Sequence, residues 1–188
     1  IAALLLRDGG GAVPGAVFQA VDLREPPKED VLAFAAGDPN PRSAVVHFRQ
    51  NQKSYRSIVN LTEGSFTAPS KTPRSHGQLG LTIGEIFDFA FLFEDEDFRS
   101  ALALRGLDTP EELAHVFVTP LTAGSFGLPE ESRRIVKAQM YYIAGTAINL
   151  YARPIEGLQA VVDLDAQSVI EILDTGVVSL PAAAHEFD

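Results

Sequence analysis

Two stretches in different halves of the chain share one pattern of alternating apolar and polar residues. Val162-Asp163-Leu164 followed by Ser168-Val169 repeats the earlier Val59-Asn60-Leu61 followed by Ser65-Phe66. Apolar alternation interrupted by a short polar turn is typical of a β-hairpin that buries one face. The repetition predicts two similar folding units, each near the size of about 100 residues at which a domain holds its own core.

The apolar pattern predicts the same order of elements in each half, a helical element followed by strands. In the first half it predicts a helix over residues 1–7, strands over 16–23, 44–49 and 55–61, and a short helix over 28–36. In the second half it predicts two short helices or one bent helix between residues 82 and 104, then strands near 115–119 and 134–144 and a hairpin over 158–173. A helix followed by antiparallel strands, occurring once in each half, indicates an α+β fold with a helix packed on each sheet.

A polar segment separates the two halves. Residues 69–80, PSKTPRSHGQLG, are rich in Pro, Gly and Ser, which is typical of a linker. We therefore place two domains at residues 1–78 and 79–188. The chain opens without Met on the apolar run IAALLLR, so the first domain is expected to be truncated at its start.

Composition narrows the classes of function. A net charge of −10 and a pI near 4.8 argue against nucleic-acid binding and against attachment to anionic membranes, both of which need a surplus of Lys and Arg. The chain has no cysteine, which excludes disulfides, thiolate metal sites and Cys nucleophiles and fits a reducing compartment such as the cytoplasm. No apolar run approaches the roughly 20 residues of a membrane span.

No local set of residues predicts catalysis, cofactor binding or metal binding. The four histidines do not lie within four positions of one another, so none forms a paired ligand motif: His47, His76, His115 and His185. Residues 123–127, AGSFG, imitate a nucleophile elbow, which makes a serine hydrolase using Ser125 a remote alternative. That elbow requires a helix directly behind the serine, and Pro129 interrupts the chain there.

Longer fragments, taken in order, resemble copper-containing primary amine oxidases. The second N-terminal domain of that family is resembled by DLREPPK (residues 22–28) and YRSIVNLTEGSF (55–66). The third is resembled by TPLTAGSFG (119–127), Arg133-Arg134, YARPIEGL (151–158) and DTGV (174–177). The ordered set covers nearly the whole chain, so we expect these two domains of the family.

The resemblance implies two cystatin-like domains of an enzyme that converts a primary amine, O2 and water to an aldehyde, ammonia and hydrogen peroxide. That enzyme is a homodimer that uses copper, held by three histidines, and topaquinone, formed from a tyrosine in a C-terminal catalytic domain. Its marks are an Asn-Tyr-Asp/Glu triplet and a His-x-His pair, and this sequence contains neither. We therefore expect a non-catalytic region that docks on the catalytic domain and holds neither cofactor.

The resemblance also suggests one set of site residues. In some family members a Pro-Leu segment of the third domain edges the substrate channel, and Thr119, Pro120 and Leu121 match that segment. The alternative for Pro120 is that it merely ends a strand. The alternative for the whole chain is a free-standing cystatin-like interaction module with no enzyme attached.

Overall fold

The structure of the chain is a computed structural model, which describes residues 1–73, 78–124, 133–144 and 149–180. The chain divides into two compact units, Ile1–Thr82 and Ile83–Asp188. Within the described residues, each unit contains one antiparallel sheet and short helices. The predicted α+β class with two antiparallel sheets is confirmed.

The first unit begins with a short helix that lies on its sheet. Its helices are α1 (Ala2–Asp8) and α2 (Lys28–Ala33), and its strands are β1 (Val17–Arg24), β2 (Ser43–Gln50), β3 (Lys53–Asn60), β4 (Ser65–Phe66) and β5 (Ser70–Lys71). The sheet order is β1-β2-β3-β4, with β5 also paired to β3. The helix predicted over residues 28–36 is shorter in the structure, because α2 ends at Ala33, where Phe34 takes an extended conformation.

The core of the first unit forms where α1 crosses the central strands. Along β2 the residues Ala44, Val46 and Phe48 are buried, while the residues between them are partly exposed. Leu6 of α1 packs in the same cluster with Val59 of β3. The strict alternation of β2 thus buries one face of the sheet under one helix, as the sequence predicted.

The second unit places several short helices before its strands. Its helices are α3 (Ile83–Phe87), a 3₁₀ helix (Ala90–Glu94), α4 (Glu96–Ala103) and α5 (Pro110–Leu113), and its strands are β6 (Val116–Thr122), β7 (Ile135–Tyr142), β8 (Pro154–Asp163) and β9 (Ser168–Asp174). The sheet order is β6-β7-β8-β9. The 3₁₀ helix and α4 contact β9, and α3 contacts β6, so the helices cover one face.

The two units use the same hairpin at the same place. In the first, Asn60 Oδ1 accepts hydrogen bonds from the backbone amides two and three residues later, those of Thr62 and Glu63, at 3.0 and 3.1 Å. In the second, Asp163 Oδ1 accepts equivalent bonds from residues 165 and 166 at 3.0 and 3.3 Å. Such Asx turns let a side chain replace the missing backbone partners of a tight turn.

The strand pairing around these turns also repeats. Asn60 lies opposite Ser43 and Ser65, and Asp163 lies opposite Ile135 and Ser168. In each unit the residue after the Asx residue donates its amide to an arginine carbonyl just before the neighbouring strand: Leu61 to Arg42 and Leu164 to Arg134. The repeat seen in the sequence is therefore a repeat of register and turn type.

Candidate functional site

The three residues predicted to edge a channel lie on β6, at the edge of the second sheet. Thr119 pairs with Gln139, Pro120 with Ala138 and Leu121 with Lys137. Pro120 is buried on the face that the helices cover, whereas Leu121 is exposed on the opposite face. The strand continues to Thr122, so the alternative that Pro120 merely ends a strand is wrong. An edge strand tolerates Pro because its missing N–H faces away from the ladder.

The open face of this sheet carries a shallow groove lined by residues of β7, β8 and β9. The groove has a volume of about 440 Å³, and its lining includes Gln139, Tyr141, Pro154 and Leu173. The Tyr141 hydroxyl donates to Gln139 Oε1 at 3.2 Å, and the Tyr151 ring meets the Tyr141 ring edge-on at 5.2 Å between centroids. Aromatic rings at the rim of a groove supply apolar contact area and a polar tip together.

One side chain of β6 has an unusual environment. The Thr119 hydroxyl oxygen is buried and has no hydrogen-bond partner among the described residues. Thr119 shares the open face of the sheet with Phe117 and Leu121, since side chains alternate along a strand. The open face therefore presents a mixed surface of apolar and polar side chains rather than a cluster of acids, bases or nucleophiles.

A guanidinium holds the end of β9 to the helices. The Arg105 side chain has no exposed surface and forms two parallel hydrogen bonds to Asp174, Nη1 to Oδ2 at 2.9 Å and Nη2 to Oδ1 at 2.8 Å. It also donates to the carbonyl oxygens of Ala101 at 2.8 Å and Gly176 at 2.9 Å. Paired bonds of this kind between a guanidinium and a carboxylate fix orientation as well as distance.

Asp174 is held in its ionised form by this arrangement. The hydrogen bonds from Arg105, followed by one from the Gly176 N–H at 2.9 Å, lower the pKa of Asp174 from 3.8 to about 2. The Asp174 side chain keeps 28% of its surface exposed, so the group is a partly solvated anchor. We call Arg105 and Asp174, with the carbonyl of Gly176, the β9 clamp.

A second buried arginine joins α3 to the start of β7. Arg134 has no exposed side-chain surface, and it donates from Nε to Glu85 Oε1 at 2.9 Å and from Nη2 to Glu85 Oε2 at 3.2 Å. An arginine that is fully desolvated needs such a carboxylate, because an unpaired buried charge is strongly unfavourable. Both arginine pairs position backbone segments.

The remaining candidate residues lie in different units or outside the described part of the chain. His115 packs edge-on against Tyr142 at 5.9 Å between ring centroids, and His47 lies in the other unit on β2. Ser125, His76 and His185 lie outside the described residues. Among the described residues there is no group of three or more His, Cys, Asp or Glu that fits a metal ion. No helix in the described part of the chain is long and apolar enough to cross a membrane.

Sequence reasoning missed both arginine pairs. Arg105 and Asp174 lie 69 positions apart, and Arg134 and Glu85 lie 49 apart, so no local spacing indicates either contact. A signal was present in one case, since Arg134 directly precedes a strand whose first residues are apolar. A charge at that place requires a partner from elsewhere in the fold.

Each unit contains an antiparallel sheet with helical structure packed on one face, and the same type of hairpin turn occurs in both. The chain is therefore a tandem of two α+β domains. The family model "Copper amine oxidase, N2 domain" matches residues 10–72, and "Copper amine oxidase, N3 domain" matches residues 85–186. The chain belongs to the copper amine oxidase family and comprises these two N-terminal domains.

Individual relatives agree with this membership. The chain is 31% identical to "Amine oxidase [copper-containing] gamma 2" of Arabidopsis thaliana, over 93% of this chain and 25% of that protein. It is 31% identical to the primary amine oxidase of Klebsiella aerogenes, over 93% of this chain and 23% of that protein. A solved copper-containing benzylamine oxidase from Hansenula polymorpha has the same fold over 98% of this chain and 30% of its own, with a TM-score of 0.67 and 21% identity. The chain thus spans about a quarter of the curated relatives it matches.

Proposed function

We propose that this chain is the non-catalytic N-terminal region of a copper- and topaquinone-dependent primary amine oxidase. The observation that supports this most is the pair of adjacent N2 and N3 matches within a chain that spans about a quarter of its relatives. The parent enzyme converts a primary amine, O2 and water to an aldehyde, ammonia and hydrogen peroxide. We assign residues 1–78 and 79–188 to two cystatin-like domains.

The copper and the quinone belong, in this proposal, to a catalytic domain outside these residues. The sequence has no His-x-His pair and no Asn-Tyr-Asp/Glu triplet, and the described histidines lie in different units. The two described histidines alone do not supply the three ligands of that copper site. No step of amine oxidation is assigned to them.

The physical role of the region is to dock on the catalytic domain of the homodimer and to shape the approach of amines. Strand β6 supports the second part, because Leu121 is exposed and shares one face of the sheet with Thr119 and with the groove that Tyr141 lines. We propose that Thr119 and Leu121 face the channel, while the buried ring of Pro120 fixes their strand. In this proposal the Thr119 and Leu121 side chains contact the amine, and Pro120 positions the strand.

The experiment that tests this role uses the full-length enzyme. We expect Leu121→Ala to change KM for bulky amines while kcat for methylamine and the quinone content stay unchanged, because a rim residue acts on entry. The matched control is Leu104→Ala, another exposed leucine of the same unit on the end of α4. An unchanged KM for amines of every size would remove Leu121 from the channel rim.

The acidic surplus supports a second, long-range effect. A net charge of −10 on this region attracts cationic amines through its field, and salt screens that attraction. We expect kcat/KM of the full-length enzyme to fall with ionic strength, and to fall less when exposed acids outside the connection between β1 and β2, such as Glu63, Asp97 and Glu111, are changed to their amides. An identical salt dependence in the two proteins would dispose of the effect.

A further inference from the structure

The connection between β1 and β2 is the most exposed part of the described chain. Every residue from 21 to 42 is exposed, and α2 lies in the middle of this segment with no buried residue. We call residues 25–42 the arm. Several large apolar side chains stand on it, with Val31 53%, Leu32 75% and Phe34 52% exposed.

The arm is held by its own bonds rather than by the sheet. Phe34 donates its amide to Val31 O at 3.4 Å, and Ala35 donates to Asp38 Oδ2 at 2.7 Å. Between residues 25 and 41, the described hydrogen bonds all have both partners within the arm. Among the described hydrogen bonds, those that tie the arm to the rest of its unit lie at Arg42, whose amide donates to Thr62 Oγ1 at 2.9 Å and whose carbonyl accepts from the Leu61 amide at 2.7 Å.

A helix as short as α2 requires packing to be stable. Helices below about 12 residues are marginal in water, and α2 has six residues and no side-chain cap at its start. An apolar hollow of about 620 Å³ opens within the arm, and its lining includes Pro26, Val31, Phe34 and Pro41. Exposed apolar side chains beside an apolar hollow are typical of a surface that another protein covers.

We propose that the arm is a docking element whose apolar side chains pack against the catalytic domain of the parent enzyme. This inference rests on the proposed function and names the residues that carry its docking. The curated relatives place the same two domains in chains about four times as long, so a large surface of the same polypeptide is available. A covalent tether raises the effective concentration of that surface far above that of any separate partner or second copy.

The direct test is photo-crosslinking in the full-length enzyme. Benzoylphenylalanine replaces Phe34, and in a control enzyme it replaces Leu104, which is 69% exposed on the end of α4. We expect position 34 to crosslink to a peptide of the catalytic domain. A crosslink to residues 1–188 of a second copy, or no crosslink at position 34, would overturn the inference.

A second measurement does not depend on crosslinking chemistry. Trypsin cleaves after Lys28, which lies at the start of α2. We expect cleavage there to be slow in the full-length enzyme and about tenfold faster in the double variant Leu32→Ser with Phe34→Ser, because cleavage follows the population of the undocked arm. Leu104→Ser serves as the control and should leave the rate unchanged. Equal rates in all three proteins would contradict docking of the arm.

The two proposals fail in different ways. A full-length product without quinone or copper refutes the proposed function before the arm is considered. A product with both cofactors, whose arm neither crosslinks to the catalytic domain nor gains protection from trypsin, refutes the inference about the arm alone.

Discussion

The β9 clamp makes one glycine indispensable for a reason that can be separated from backbone strain. Gly157 has φ +74°, and a Cβ atom placed there would overlap the carbonyl oxygen of Gly176, which accepts from Arg105. Gly106 has nearly the same φ, +76°, but no described atom lies within 4 Å of its Cβ position. Gly157→Ala and Gly106→Ala therefore share the strain and differ in the clash.

The expected magnitudes follow from these contacts. A non-glycine residue in the left-handed region costs about 1–2 kcal/mol, so Gly106→Ala should lose about that much stability. Gly157→Ala must also displace the Gly176 carbonyl, and the lost hydrogen bond from a charged donor adds about 1.5–3 kcal/mol. The free energy of unfolding should thus fall by roughly 2.5–5 kcal/mol in Gly157→Ala.

Urea unfolding followed by tyrosine fluorescence measures this difference. The sequence has no tryptophan, and three of its four tyrosines, at positions 141, 142 and 151, lie in the second unit. The signal therefore reports mainly on the unit that contains the clamp. Equal losses of stability in the two alanine variants would refute the role of the Gly176 carbonyl contact.

Three further outcomes are expected. The lowered pKa of Asp174 stabilises the fold above about pH 4, and this contribution disappears as the pH falls from 3.8 toward 2. The difference in stability between the wild type and Asp174→Asn should therefore shrink over that range. A difference that stays constant with pH would contradict this prediction. Asn60→Asp and Asp163→Asn should each change the free energy of unfolding by less than about 0.5 kcal/mol, because each keeps the side-chain oxygen that forms the turn. Alanine at either position removes that oxygen and should cost about 1 kcal/mol. Thermal unfolding of the four variants distinguishes the small change from the larger one. Glu85→Ala should cost about 3 kcal/mol by leaving Arg134 buried without its carboxylate, and a loss no greater than that of a surface control, Glu111→Ala, would contradict the pair.

The sequence predicted most of the sheet structure because the alternation that marks a strand is a local pattern. The alternation of Ala44, Val46 and Phe48 is enough to assign β2 and its buried face. The repeat of the hairpin in the two units could also be recognised from the sequence, since Asn60 and Asp163 are residue types that form turns through their own side chains. These signals depend on neighbours within a few positions, so they survive without knowledge of the fold.

What could not be predicted depends on contacts between distant positions. Arg105 reaches Asp174 only because α4 lies against β9, and nothing near Arg105 in the sequence indicates that helix packing. The exposure of the arm was equally hidden, because Val31, Leu32 and Phe34 look like ordinary core residues of a short helix. A local pattern gives the periodicity of an element but not the surface that covers it.

The candidate rim shows the same limit within a single strand. The resemblance pointed to Thr119, Pro120 and Leu121 as one segment, but the pleat of β6 turns Pro120 toward the core and its two neighbours toward the open face. The resemblance therefore points to a segment, whereas the pleat of β6 separates its side chains between two faces. The arrangement makes Leu121, rather than Pro120, the informative position for mutagenesis.

The quinone content of the full-length gene product tests the central claim most directly. Redox staining of that product, with the 188-residue chain as control, asks whether the cofactor lies outside these two domains. We expect strong staining and amine-dependent release of hydrogen peroxide from the full-length protein, and neither from the control chain. Staining or peroxide release by the 188-residue chain alone, or a full-length product that lacks the quinone, would contradict the account.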